Sequence, residues 1–369
     1  MMNKNPFLPS FGRVPSMVLD QKRTLNDYLT GLVNHDGKYQ TSLVYGVRGS
    51  GKTVFLINVE HQLTQVPNWA FLRLTLSQGN LLMQLINGLQ QIRGIDWTDV
   101  LKAFSAELNF SVFGITLKSS SSTQTINYKS VLEKMLTQLK QRGISVLIGI
   151  DEIEISDDVR AFASMYQMLI GEEFDIALIM TGLPSRISDL QNDNVLTFLL
   201  RSNRIYLAKL DRESVINSYQ QAFQNGSKTI DTIALNTLAR AAGGYPYAFQ
   251  AVGYYAWRLS EDGVVDEQVV AQTIKKSKVD LYRNAYEKLY TELSDNDRRV
   301  LNAIAEYPQD DVPVNYIQEK LAKPKNYISV YRARLKDAQL IESGGWGKVR
   351  FSLPFFGDFI QWYRNSHLA

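Results

Sequence analysis

The chain has 369 residues, 45% hydrophobic and 21% charged, with a formal net charge of +3, so it is expected to form two or three ordinary globular domains. It has no cysteine, which excludes disulfides and thiolate metal sites, and His35, His61 and His367 are too scattered to form a metal cluster. No apolar run reaches membrane-spanning length and the N-terminus lacks a signal peptide's apolar core, so a cytoplasmic protein with no membrane partner is expected.

Residues 5–20, rich in Pro and Phe, predict an ordered arm, and QKRTLNDYLTGLVNH then has helical spacing. The following segment, TSLVYGVRGSGKTVFLINVEHQL, reads as strand, loop and helix. Its loop has the spacing Gly46-x-x-x-x-Gly51-Lys52-Thr53, which is that of a phosphate-binding P-loop. Glycines let the backbone close into a nest of inward N–H groups. A helix from about Lys52 to Leu63 would turn its positive dipole end toward the same anion. The nucleotide-binding set is therefore Gly46, Gly49, Ser50, Gly51, Lys52, Thr53 and Val54, with Lys52 reaching the β- and γ-phosphates and Thr53 offering its hydroxyl to Mg²⁺.

Further on, WAFLRLTL (69–76) predicts a strand and NLLMQLINGLQQI (80–92) a helix. Residues 108–130 alternate and then carry the run Ser119–Ser122, which suits an inserted hairpin or a loose connector. The helix VLEKMLTQLKQRG leads to three more strands, within 144–154, 175–185 and 203–210. Strands alternating with helices predict an α/β fold with an open parallel sheet.

The strand VLIGIDEIE ends in Asp151 and Glu152. Beside a P-loop, Asp151 is suited to hold Mg²⁺ through water and Glu152 to polarise an attacking water. Thr181, ending the next strand, either meets the γ-phosphate or that water, or simply caps its strand. Arg201 and Arg204 are candidates for the arginine that phosphoryl transfer uses, in cis or in trans, with Arg204 preferred. No Asn/Thr-Lys-x-Asp segment follows the loop, which favours ATP over GTP.

From Asp211 to about Arg283 only helices are predicted. From Leu293 the pattern is three short helices, the first capped by Ser294, then the turn GGWG between two strands. Between Lys323 and Arg350 there are seven basic and two acidic residues, a local net of +5. Lys325, Arg332, Arg334, Lys336, Lys348 and Arg350 make a basic stripe suited to phosphates of double-stranded DNA, with modest sequence discrimination. A solvated face or a protein-docking face has the same composition. The final FFGDFIQWYR is aromatic at helical spacing and predicts a closing core helix.

The segments GVRGSGKT, IGIDEIE, IMTGLPSR, RSNRIYLAKLD and AAGGYPYAFQAVG together resemble the AAA+ class of P-loop ATPases. More narrowly, the chain resembles the archaeal-type ATPases, near the archaeal origin-recognition initiators and the signal-transduction ATPases with numerous domains. The resemblance spans nearly the whole chain. It implies a P-loop AAA+ parallel-sheet domain (1–210), a helical lid (211–285) and a C-terminal winged-helix domain (286–369). Gly244-Tyr245-Pro246 looks like the Gly-x-Pro signature of the lid, which implies Tyr245 and Pro246 on the adenine side. The family's lid arginine has no counterpart before Arg258, which suits a slow nucleotide-gated switch better than a ring motor or a strict initiator. The expectation is an ATP- and Mg²⁺-dependent ATPase switch contacting DNA, as a homo-oligomer or with a protein partner. The alternative is a signalling ATPase whose ATP is mainly structural and whose winged helix docks on protein.

Overall fold

A computed structural model describes residues 4–9, 22–100, 128–184, 193 and 196–367. The chain opens its ordered body with α1 (Lys22–Val33), β1 (Thr41–Tyr45), α2 (Lys52–Leu63), β2 (Trp69–Leu74) and α3 (Leu81–Gln90). After α4 (Tyr128–Gln141) come β3 (Ser145–Ile150), α5 (Asp157–Gly171), β4 (Ile176–Gly182) and β5 (Asn203–Tyr206). The five strands are all parallel, in the order β2-β3-β4-β1-β5. Both faces are covered, as a parallel sheet requires. Leu43, Ile148 and Leu178 face α3, α4 and α5, while Val44, Leu147 and Ile179 face α1 and α2. Successive strand residues thus feed opposite cores, which is why β3 and β4 read as unbroken apolar runs.

The expected connector at 108–130 lies mostly outside the described residues, but helix α4 already begins at Tyr128. Its extra turn packs Tyr128 against the core.

A helical segment follows, with α6 (Arg212–Asn225), α7 (Thr232–Ala242), α8 (Pro246–Leu259) and α9 (Glu267–Leu281). The aspartates Asp211, Asp231 and Asp266 cap α6, α7 and α9 by accepting from N3 amides, and Pro246 opens α8. The all-helical expectation needs one correction. The two-residue strands β6 (Thr229–Ile230) and β7 (Val264–Val265) pair in parallel. Each is too short to show alternation in the sequence.

Of the arm expected at 5–20, residues 10–20 lie outside the described residues, and residues 5–9 pack on these helices. Phe7 is buried between Tyr219, Phe223 and Phe249, at ring-centroid distances of 5.6, 6.0 and 5.6 Å. Gly253 makes the space, since a Cβ there would lie 2.4 Å from the Phe7 ring. Asn5 Nδ2 donates to the Tyr254 carbonyl (3.2 Å) and the Leu8 amide donates to Gln250 Oε1 (2.9 Å).

The chain continues through a π-helical turn, Tyr282–Tyr286, into α10 (Glu287–Thr291). Helix therefore runs through the expected boundary at 285/286, and Leu281, Tyr282 and Tyr286 already pack in the C-terminal core. There α11 (Asp295–Ala305), β8 (Val312–Pro313), α12 (Val314–Leu321), α13 (Lys325–Asp337), β9 (Ile341–Ser343), β10 (Lys348–Phe351) and α14 (Phe356–His367) follow. The strands form a small antiparallel sheet in the order β8-β10-β9. Phe356, Phe359 and Ile360 bury one face of α14, so the aromatic tail closes the core.

Phe7→Ala should release the arm. Because the arm can swing away rather than leave a cavity, the loss should lie near the low end for Phe→Ala, about 3 kcal/mol. Hydrogen exchange at the Leu8 amide and the denaturant midpoint check it; unchanged protection would show that the arm is held elsewhere.

Candidate nucleotide site

The loop between β1 and α2 closes because Gly49 and Gly51 adopt φ values of +80° and +92°, which side chains other than glycine disfavour. Gly49 is also crowded: a Cβ there would lie 2.3 Å from the Tyr245 hydroxyl. Lys52 opens α2, is 8% exposed, and donates through Nζ to the carbonyls of Gly46 (2.8 Å) and Val47 (2.9 Å). Burial lowers the Lys52 ammonium pKa to about 8, against the opposing pull of Asp151 and Glu152, with Arg48 lowering it further.

The parallel order brings the ends of β1, β3 and β4 side by side. Thr53 Oγ1 donates to Asp151 Oδ2 (2.8 Å), and Thr181 Oγ1 donates to Asp151 Oδ1. The Glu152 amide donates to Thr181 Oγ1 (3.1 Å) and to Asp151 Oδ1 (3.2 Å). Glu152 itself is left-handed (φ +52°) with an exposed side chain, so the backbone turns there. Lys52, Thr53, Asp151, Glu152 and Thr181 thus form one hydrogen-bonded, electrostatically linked group. Thr181 is fully buried and holds the Asp151 carboxylate and the Glu152 backbone amide.

The other expected residues fall elsewhere. Arg204 lies within β5, its Cα aligned with Leu43, two residues back from the Tyr45–Tyr206 level where the loop leaves the sheet. Arg201 ends the 3-10 turn Thr197–Arg201 on the entry side of β5. Both are exposed, and neither is hydrogen-bonded to Lys52, Thr53, Asp151 or Glu152. Tyr245 donates its hydroxyl to the Arg48 carbonyl, and its ring stacks on Tyr286 at 6.2 Å. Only 3% exposed, Tyr245 packs against the loop. Pro246 is half-buried at the first turn of α8.

Sequence reasoning missed one contributor. Gln339, beyond α13, accepts a hydrogen bond from the Val47 amide (3.2 Å), and Val47 is buried in the C-terminal core. No motif marks a contact between residues 292 positions apart.

Comparison with known proteins supports this architecture. A Walker-type ATPase of Pyrococcus abyssi is 15% identical; the match covers 93% of this chain and 96% of that one, with a TM-score of 0.62. The ORC2 protein of Aeropyrum pernix, solved in ADPNP–ADP complexes, is 11% identical, with 98% of each chain covered and a TM-score of 0.59. The chain thus has the AAA+ P-loop ATPase fold of these archaeal proteins. A family model described as a domain of unknown function (DUF8462) matches residues 283–360. No curated protein matches the sequence.

The buried lysine sets a pH dependence. Below about pH 8, Lys52 is charged in folded and unfolded chains alike, and its burial opposes folding. Between about 8 and the ordinary 10.5, the unfolded chain holds a proton that the folded chain has released, so stability rises with pH. Wild type should therefore gain stability over Lys52→Met across that window, by up to about 3 kcal/mol. Urea unfolding at a series of pH values checks it, and parallel curves for the two proteins would contradict it.

Proposed function

We propose that this chain is a slow ATPase switch that binds Mg-ATP at the Gly46–Thr53 loop, hydrolyses it with Glu152, and contacts duplex DNA through its C-terminal unit. The observation that carries the nucleotide reading is the Thr53–Asp151–Thr181–Glu152 hydrogen-bond chain beside the buried Lys52. A nest with a lysine inside it fits a polyphosphate. A hydroxyl paired with a carboxylate fits a hard, oxygen-seeking cation. Among the described residues no group of three or more His, Cys, Asp or Glu could hold a metal alone, so phosphate and water oxygens would complete the set.

Mg²⁺ held by Thr53 and Asp151 would neutralise phosphate charge. Lys52 supplies a positive charge already in place, so little reorganisation is needed when an anion binds. Glu152, exposed at its left-handed turn, is the group free to orient and polarise water. Thr181 fixes the Asp151 carboxylate and the backbone at Glu152. The exposed Arg201 and Arg204, set back along the edge strand, suit an arginine acting on a neighbouring copy better than one acting in cis. Glu152→Gln should keep Mg-ATP binding and lower turnover by about 10²–10⁴-fold. Calorimetric titration alongside a phosphate-release assay checks it, and wild-type turnover in the variant would move the role to another residue.

The C-terminal basic stripe divides in two. Arg334 is paired with the buried Asp297 (2.9 Å), and Arg350 with Glu342 (3.2 Å). Lys325, Arg332, Lys336 and Lys348 carry no ion pair among the described residues, and they are the cations available to phosphates. Changing these four to alanine should flatten the plot of log affinity against log salt by about 0.9 for each phosphate no longer neutralised, similarly for unrelated duplexes. Fluorescence anisotropy at several salt concentrations measures it. Trp346, fully exposed at the β9–β10 turn, and Val330, 57% exposed on α13, support the alternative of a protein partner. Failure of the wild type to bind duplex at low salt, with or without ATP, would favour that alternative.

A further inference from the structure

We infer that Gln339, from the C-terminal unit, is a positioning residue of the P-loop, acting on Lys52 through the Gly46–Val47 peptide. One peptide group carries the argument. Its carbonyl, that of Gly46, accepts from Lys52 Nζ at 2.8 Å, and its N–H, that of Val47, donates to Gln339 Oε1 at 3.2 Å. The plane is therefore held from both sides. Turning it would break the Gln339 bond and withdraw an oxygen from the lysine. The next carbonyl, that of Val47, accepts from both Lys52 Nζ (2.9 Å) and the Ser50 amide (3.1 Å), so Lys52 and Ser50 fix the shoulder of the loop that Gln339 holds from the other side.

The backbone at Gln339 gives an independent reason. It follows the end of α13 in the left-handed region, at φ +58°. The Gln339 and Leu340 amides donate to the Lys336 and Leu335 carbonyls (2.8 and 2.9 Å), closing the helix in the manner glycine serves best. A glutamine there gives up backbone stability that glycine would keep. Its side chain has a use that glycine lacks, the bond to Val47.

The surroundings hold the two units in register. Val47 is 6% exposed within the C-terminal core, and Lys209, just past β5, pairs with Glu342 on β9 at 2.6 Å. The nucleotide loop is thus completed by a residue from the unit bearing the basic stripe. A partner that displaced that unit would loosen Lys52, and by linkage nucleotide would oppose the displacement to the same degree.

This inference rests on the nucleotide reading, so its test includes a readout that needs no nucleotide. In the full chain, Gln339→Gly keeps the left-handed turn and removes the acceptor. Gln339→Asn also tolerates that backbone but is one methylene short, and it serves if the glycine variant is unstable. Both should unfold at or near the wild-type temperature. Acylation of Lys52 in the nucleotide-free protein, followed by peptide mass spectrometry, should run several-fold faster. Mg-ATP should bind about three- to tenfold more weakly, the scale of one hydrogen bond. KM should rise with kcat unchanged, since the bond is equal in ground and transition states. Wild-type Lys52 labelling and wild-type affinity in both folded variants would overturn the inference. Faster labelling with a wild type that binds no Mg-ATP would instead defeat the nucleotide reading and leave the Gln339 contact standing.

Discussion

Burying an ammonium costs several kcal/mol unless oxygens surround it, and Lys52 is 8% exposed. Two carbonyls from its own loop meet the charge directly, and the carboxylates at the end of β3 act on it from further off. Each requires a particular arrangement. The carbonyls turn inward only because Gly49 and Gly51 take positive φ. The carboxylates are near only because β3 and β1 flank β4 in a parallel sheet, with all three carboxyl ends on one side.

The same loop is the meeting point of three units. The sheet supplies its ends, the helical segment supplies the Tyr245 hydroxyl on the Arg48 carbonyl, and the C-terminal unit supplies Gln339 on the Val47 amide. Tyrosines make much of this joint. Tyr245 stacks on Tyr286, whose hydroxyl donates to the Pro354 carbonyl at 2.7 Å. A tyrosine buries a large ring and still satisfies a backbone acceptor at its tip, so it can join a polar loop to an apolar core.

What could be read from the residues follows from the range of the forces involved. The P-loop, the helix from Lys52 to Leu63 and the cap at Ser294 depend on neighbours within a few positions, and their signals lie in the string itself. The acids at 151 and 152 were legible because a long apolar run ended in them. The strand order was not, since it depends on which edges meet across long crossovers. Neither was the contact of Tyr245 with the Arg48 carbonyl, 197 positions away. An ordered arm was expected around Phe7, but nothing local shows that Gly253 leaves the socket that receives it.

Charge counting was misleading for a related reason. Seven cations between 323 and 350 look equivalent in the sequence, yet the fold gives Arg334 and Arg350 different partners. Asp297 is 4% exposed and accepts from both Arg334 (2.9 Å) and Ser294 Oγ (2.5 Å), so losing its arginine would cost one charge-assisted hydrogen bond, about 1.5–3 kcal/mol. Arg334 therefore fixes α13 on α11 and is not available to a ligand. Arg350 and Glu342 are both well exposed, and a pair of that kind is worth about 0–1 kcal/mol. An anion could draw Arg350 away at little cost. Glu342 would then be left to Lys209, at 2.6 Å, just past the parallel sheet. Charge taken up at the hairpin would thus tighten, rather than loosen, the seam that holds Gln339 against the P-loop.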